Sequence, residues 1–202
     1  MKKRFTLKLL AASAALALCG AAAAQSSIKI ANIVELSGGG ATAGTNFKNG
    51  VELAVKEINA AGGILGKKIE SVSNDTQSNP GVAKGLTQKA VDNEVFAIFG
   101  PVFSGSIMVS MAESRRAEVP NWTGGEAASI TQQGNPFIFR TSFTQETAMP
   151  KVAKYIVTKS KNLAIMYVNN DFAKGGLDSI KKALNGSPTK IAAEISTEPG
   201  QV

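Results

Sequence analysis

A chain of 202 residues, 44% hydrophobic and 18% charged, is long enough to bury a core and too apolar to stay disordered. It contains no histidine and a single cysteine, Cys19, so an internal disulfide, imidazole or thiolate metal sites, and Ser-His-Asp or Cys-His catalysis are excluded together. Its formal charge of +7 is no sign of nucleic-acid binding, because the Lys and Arg residues are spread along the chain and no arginine-rich or aromatic-interleaved stretch occurs.

The first residues read Met-Lys-Lys-Arg, then an apolar run from Leu9 to Cys19 broken only by Ser13, then Ala22-Ala23-Ala24 before Gln25. A basic start, a short apolar segment and a small-residue cleavage site predict a secretory signal peptide over residues 1–24, too short to remain as a membrane span. Leu16-Ala17-Leu18-Cys19 resembles a lipobox, but Leu18 stands where that signal takes Gly or Ala, and ordinary cleavage is preferred to lipidation. Losing Lys2, Lys3, Arg4 and Lys8 leaves 18 basic against 15 acidic residues, or +3.

Ile28 to Leu36 alternates as a strand, and Ser37-Gly38-Gly39-Gly40 is a turn. Val51, Leu53, Ala54, Val55 and Ile58 recur at helical spacing from Phe47 to Ala61, and Gly62-Gly63 stops that helix. Lys67 to Asn74 reads as a second strand, and Ser78-Asn79-Pro80 starts a helix running to about Glu94. Val95 to Phe99 is a buried strand, followed by a turn and a helix from about Ser104 to Arg116. A short fourth strand is expected at Val119 to Trp122, a loop or short helix at Glu126 to Gln133, and a strand edge at Phe137 to Arg140. Strand and helix alternate through short connections, which predicts right-handed βαβ units and a parallel sheet of order 2-1-3-4.

A second αβαβ run follows: helix Thr147 to Lys159, strand Leu163 to Val168, helix Phe172 to Leu184 and strand Lys190 to Ile195. A boundary is expected at Thr141 to Gln145, dividing residues 25–142 from an incomplete second unit, 143–202.

Open parallel sheets bind ligands beyond the carboxyl ends of their strands, where the strand order reverses. The loops expected there are Ser37 to Asn46, Gly100 to Ser106 and Thr123 to Glu126. In the second of these, helix-terminal amides, the Ser104 and Ser106 hydroxyls and the small Gly105 together make a cradle for an anion. The plainer reading is that Ser104 only caps its helix. Gly38-x-Gly40-x-x-Ala43 with Asp75 fits a relaxed dinucleotide fingerprint, a weak signal because glycines in such turns are common and an exported chain meets no nicotinamide pool. Glu126, Asp75 and Asp171 are candidate acid-base groups, but no spacing pairs them.

Taken together, the leader, Asn49-Gly50-Val-Glu-Leu-Ala, Glu57-Ile-Asn-Ala-Ala-Gly-Gly-Ile64, Asn74-Asp75, Ile130-Thr-Gln-Gln-Gly134, Phe139-Arg-Thr141 and Asn169-Asn-Asp-Phe172 resemble the type I periplasmic binding proteins of the branched-chain amino acid (Leu/Ile/Val) ABC transporter family. The resemblance implies an α/β fold of two flavodoxin-like parallel-sheet lobes with helices on both faces, the second lobe incomplete here. It also implies a periplasmic receptor that closes by hinge motion over an amino acid or related small carboxylate and delivers it to ABC permease membrane subunits, without enzymatic chemistry, cofactor or nucleic acid. Ser104 with the amides of Gly105 and Ser106 would hold the ligand carboxylate, Gly125 and Glu126 its ammonium or further polar groups, and Phe172 would close over it from the far lobe. Ala43 and Glu126 replace the aromatic and the threonine that leucine-type members carry, which leaves aromatic carboxylates or amides as alternative ligands. A secreted α/β hydrolase is the rival from another class.

Overall fold

A computed structural model describes residues 27–200. The expected signal peptide over residues 1–24, its expected cleavage site and Cys19 lie outside the described residues. The first sheet is built from β1 (Ile28–Val34), α1 (Ala41–Ala60), β2 (Ile69–Asp75), α2 (Pro80–Asp92), β3 (Ala97–Phe99), α3 (Ser104–Arg116), β4 (Asn121–Thr123), the one-turn α4 (Ser129–Gln132) and β5 (Ile138–Arg140). All its strands pair in parallel, in the order β2-β1-β3-β4-β5. The chain moves to one side of β1 for β2 and to the other for β3, so the order reverses between β1 and β3, as expected.

Right-handed crossovers in opposite directions put helices on opposite faces, and burial agrees. Every residue from Ile30 to Val34 is buried, so the central strand is covered on both sides. Ala31, Ile33 and Ile98 pack with Ala90 and Leu86 of α2, while Ile107 and Met111 of α3 pack with Ile130 and Ile138. On the α1 side the sheet carries an aromatic ladder at one register level: Phe99 stacks on Trp122 at 5.4 Å and Trp122 on Phe139 at 5.2 Å between ring centroids.

Several ends are set by local chemistry. Asn79 caps α2, its Oδ1 accepting from the amides of Gly81 and Val82, with Pro80 in the first turn where no amide hydrogen is needed. Helix α1 departs from expectation, beginning at Ala41 rather than Phe47. Its first six residues lack apolar periodicity because they are held by close backbone approach: a Cβ added to Gly44 would stand 1.9 Å from the Glu35 carbonyl oxygen. The presumed loop Ser37 to Asn46 is therefore a 3₁₀ turn, Gly38–Gly40, and the start of a helix. The other ends coincide or shift by at most three residues, within the usual scatter of element boundaries.

The second sheet has two parallel strands, β6 (Asn162–Val168) and β7 (Lys190–Thr197), with α5 (Gln145–Val157) before them and α6 (Asp171–Leu184) between them. One face of β6 gives Leu163 and Ile165 to a core with Ala153, Ile156, Ile180 and Leu184. The opposite face carries Ala164, Met166 and Val168 beside Ile195, and Met166 is 70% exposed. Among the described residues no helix is long and apolar enough to cross a membrane.

Candidate functional site at the β3–α3 turn

The turn between β3 and α3 lies at the switch point, and Gly100 makes it possible. Its φ of 95° is left-handed, and a Cβ there would stand 2.0 Å from the Ile33 carbonyl oxygen, so only glycine fits. The next amides meet an anion that belongs to the protein. Glu35, fully buried at the end of β1, accepts from the Val102 amide at 3.0 Å through Oε2 and from the Phe103 amide at 3.2 Å through Oε1. No local signal in the sequence marks this contact, which joins residues 67 and 68 positions apart.

Ser104 is the first residue of α3 and only 1% exposed. The cap position belongs to Phe103 and has no side-chain hydrogen bond, so the reading of Ser104 as a cap is corrected. Its Oγ instead accepts from the Ala127 amide at 3.3 Å, joining α3 to the loop after β4. Gly125 is buried in the same corner, where an added Cβ would lie 3.2 Å from Ser104 Oγ. Gly105 faces the second unit: a Cβ there would be 3.4 Å from Asp171 Oδ2, at the start of α6.

Glu126 reaches the second unit through its backbone. Its carbonyl accepts from the Gln145 amide at 3.1 Å, and the Gln145 side chain donates to the Phe172 carbonyl at 2.7 Å. The Phe172 ring is 46% exposed. Burial pushes the Glu126 carboxyl above its ordinary range, and the Arg140 guanidinium pulls it back down. Ser104, Gly105, Gly125, Glu126 and Phe172 are thus linked through Ala127, Asp171 and Gln145. Ser106 stands apart, being buried on α3 with no hydrogen-bond partner for its hydroxyl among the described residues. A groove of about 550 Å³ opens nearby, but along β6, α5 and α6, lined by Met149, Ile165, Phe172 and Leu177 rather than by the cradle.

Asp75 does something other than await a ribose. It ties β2 to the β1–α1 turn, accepting from the Ser37 hydroxyl at 2.6 Å and from the amides of Leu36, Ser37 and Gln77. The Ser37 hydroxyl, then these amides, hold its carboxyl below the ordinary 3.8 against some desolvation. A depressed carboxyl contributes stability above 3.8 that is lost as the pH falls through its folded value. Asp75→Asn is therefore expected to lower the urea midpoint at pH 7, with the gap to wild type closing as the pH drops below 4. A gap independent of pH contradicts this. No group of three or more His, Cys, Asp or Glu residues able to hold a metal occurs among the described residues.

Residues 27–202 match the model of the family described as periplasmic binding protein. The chain belongs to that family. It is similar to the Leu/Ile/Val-binding protein BraC3 of Rhizobium johnstonii, 32% identical over 199 residues that cover 96% of this chain and 54% of the relative. Among solved structures it is similar to the branched-chain amino acid transporter substrate-binding protein LivJ of Streptococcus pneumoniae in complex with isoleucine. That match has a TM-score of 0.78 and 31% identity, covering 87% of this chain and 51% of the other. It shares its fold with a solute-binding protein of Rhodopseudomonas palustris BisB5 in complex with 3,4-dihydroxybenzoic acid, at 24% identity and a TM-score of 0.77, over 85% of this chain and 47% of that one. This periplasmic binding protein thus has the type I fold, and it spans about half the length of the relatives it matches.

Proposed function

We propose that this chain is the ligand-binding portion of an extracytoplasmic solute receptor for an ABC importer, exported by a signal peptide over residues 1–24. Two units, residues 25–142 and 143–202, close over an amino acid or related small carboxylate, and the loaded receptor delivers it to the permease. The observation carrying this reading is the meeting of the α3 N-terminus, the Gly125–Glu126 loop and the start of α6 at the switch point of the sheet. Glu35 engages the amides of Val102 and Phe103, while those of Ser104, Gly105 and Ser106 have no intrahelical acceptor and lie at the positive end of the helix. Three or four charge-assisted hydrogen bonds of about 1.5–3 kcal/mol each, together with apolar burial, offset association costs and reach the roughly −8 kcal/mol of a micromolar complex.

Branched-chain amino acids are the first ligands to try, because the relatives above 30% identity are named for them. A thermal-shift panel of leucine, isoleucine, valine, other amino acids, their amides and benzoate tests the reading on the full-length protein. A ligand that binds only the folded state raises the melting temperature with dose. At least one carboxylate is expected to do so while its amide does not. No shift with any carboxylate would sink the proposal.

A further inference from the structure

Four carbonyls, one at the end of β4 and three in the loop after it, are held from the side of β5 and α5. Thr123 O accepts from the amide and hydroxyl of Thr141, and Glu126 O accepts from the Gln145 amide. The other two, Gly125 O and Ala127 O, both accept from the guanidinium of Arg140, the last residue of β5. Ala127 O lies 2.9 Å from Nη2, which also donates to Thr131 Oγ1 at 3.2 Å, and the Ser142 hydroxyl adds a 3.1 Å bond to Gly125 O. Arg140 thus bridges the first residues of the loop and the one-turn α4 with one rigid fork, which no point charge reproduces.

A trans peptide points its N–H opposite to the carbonyl of the preceding residue. Holding Gly125 O on Arg140 turns the Glu126 N–H away from β5. The next peptide, held at Glu126 O by Gln145, sends the Ala127 N–H to Ser104 Oγ. The peptide that reaches the first residue of α3 is therefore held by Gln145, and the peptides on either side of it by Arg140, which makes no hydrogen bond to Ser104.

We propose that Arg140 is a positioning residue for ligand binding: its fork on Gly125 O, Ala127 O and Thr131 Oγ1 holds the β4–α4 loop in register with the α3 N-terminus. This inference rests on the solute-receptor reading, and Arg140 acts through the loop without touching the ligand.

The test compares wild type, Arg140→Lys and Thr131→Val in the full-length protein, using whichever carboxylate of the panel binds wild type. Each variant is read by melting temperature, by calorimetric Kd, and by hydrogen exchange at the Ala127 amide. Arg140→Lys keeps the charge but loses the fork, and is expected to weaken Kd at least about tenfold and speed exchange at Ala127 in protein that remains folded. Thr131→Val removes a single bond at the edge of the fork and is expected to change Kd by less than about threefold. It shows what loss of one distal contact does; if Arg140→Lys is too unstable to titrate, its Ala127 exchange is read at a lower temperature, where unchanged exchange in folded protein overturns the proposal. Arg140→Lys with a lower melting temperature but an unchanged Kd makes Arg140 purely structural and also overturns it. If wild type binds no carboxylate, the solute-receptor reading fails first, an outcome distinct from either of these.

Discussion

Replacing Glu35 by alanine is expected to cost this protein about 2–4 kcal/mol of stability, a large fraction of the roughly 5–15 kcal/mol by which a folded protein is ordinarily stable. The carboxylate is fully buried and supplies the acceptors for two part-buried amides just ahead of α3, which alanine leaves without these partners. It also fills the space under the start of α1, where an added Cβ on Gly40 would meet Glu35 Cβ at 2.7 Å, so truncation leaves a void as well. Relief from burying a charge works in the opposite direction and keeps the estimate below the sum of these losses. Glu35→Gln retains the shape but turns an amino group toward one of the two N–H donors, so an intermediate loss of about 1–2 kcal/mol is expected. Urea titrations with unchanged slope report both values. A wild-type midpoint for Glu35→Ala would show that the helix terminus does not depend on this internal anion.

Gly100→Ala is expected to be at least as damaging, at about 3–5 kcal/mol. The new Cβ must clear the Ile33 carbonyl, 2.0 Å away, while the backbone leaves a φ of 95°. Relief requires β1 and β3 to separate or the turn to be rebuilt, and either moves the amides of Ser104 to Ser106 four residues on. Loss of ligand binding is therefore expected even in whatever fraction folds. Gly50→Ala is the control: Gly50 lies within α1 with nothing near its Cβ position, and alanine there is expected to stabilise by about 0.5–1 kcal/mol. Equal effects at the two glycines would contradict the steric argument.

The strands, their order and the switch point were legible because they depend on periodicity and on the handedness of βαβ connections, both local or general rules. The start of α2 was legible for the same reason, since Asn79 and Pro80 act on their immediate neighbours. The start of α1 was not, because a close approach between Gly44 and Glu35 replaces the apolar stripe that periodicity detects. The sequence, through its family resemblance, pointed to Ser104, Gly105, Ser106, Gly125, Glu126 and, from the far lobe, Phe172 as ligand contacts; in the structure Ser104 bonds to the Ala127 amide and Gln145 joins Glu126 to Phe172, while the Ser106 hydroxyl has no partner among the described residues. It gave no hint of Glu35 or Arg140, whose partners lie 67 and 15 positions away and whose roles appear only once the sheet brings strand ends together. A carboxylate at a strand end suggests a ligand contact at Asp75, yet its oxygens accept from the neighbouring turn. A serine at a helix start suggests a cap at Ser104, and its oxygen serves another loop instead.

That last bond also changes what Ser104→Ala should do. Removing the acceptor of the Ala127 amide is expected to cost about 1 kcal/mol of stability, apart from any effect on ligand. Calorimetric titration of wild type and Ser104→Ala, with the carboxylate that gives the largest thermal shift, tests whether a ligand carboxylate is held at the first turn of α3. Ser104→Ala is expected to weaken binding by about 1–3 kcal/mol, beyond what its small loss of stability explains. An unchanged Kd in the folded variant would contradict it and leave Ser104 as a link between α3 and the loop after β4.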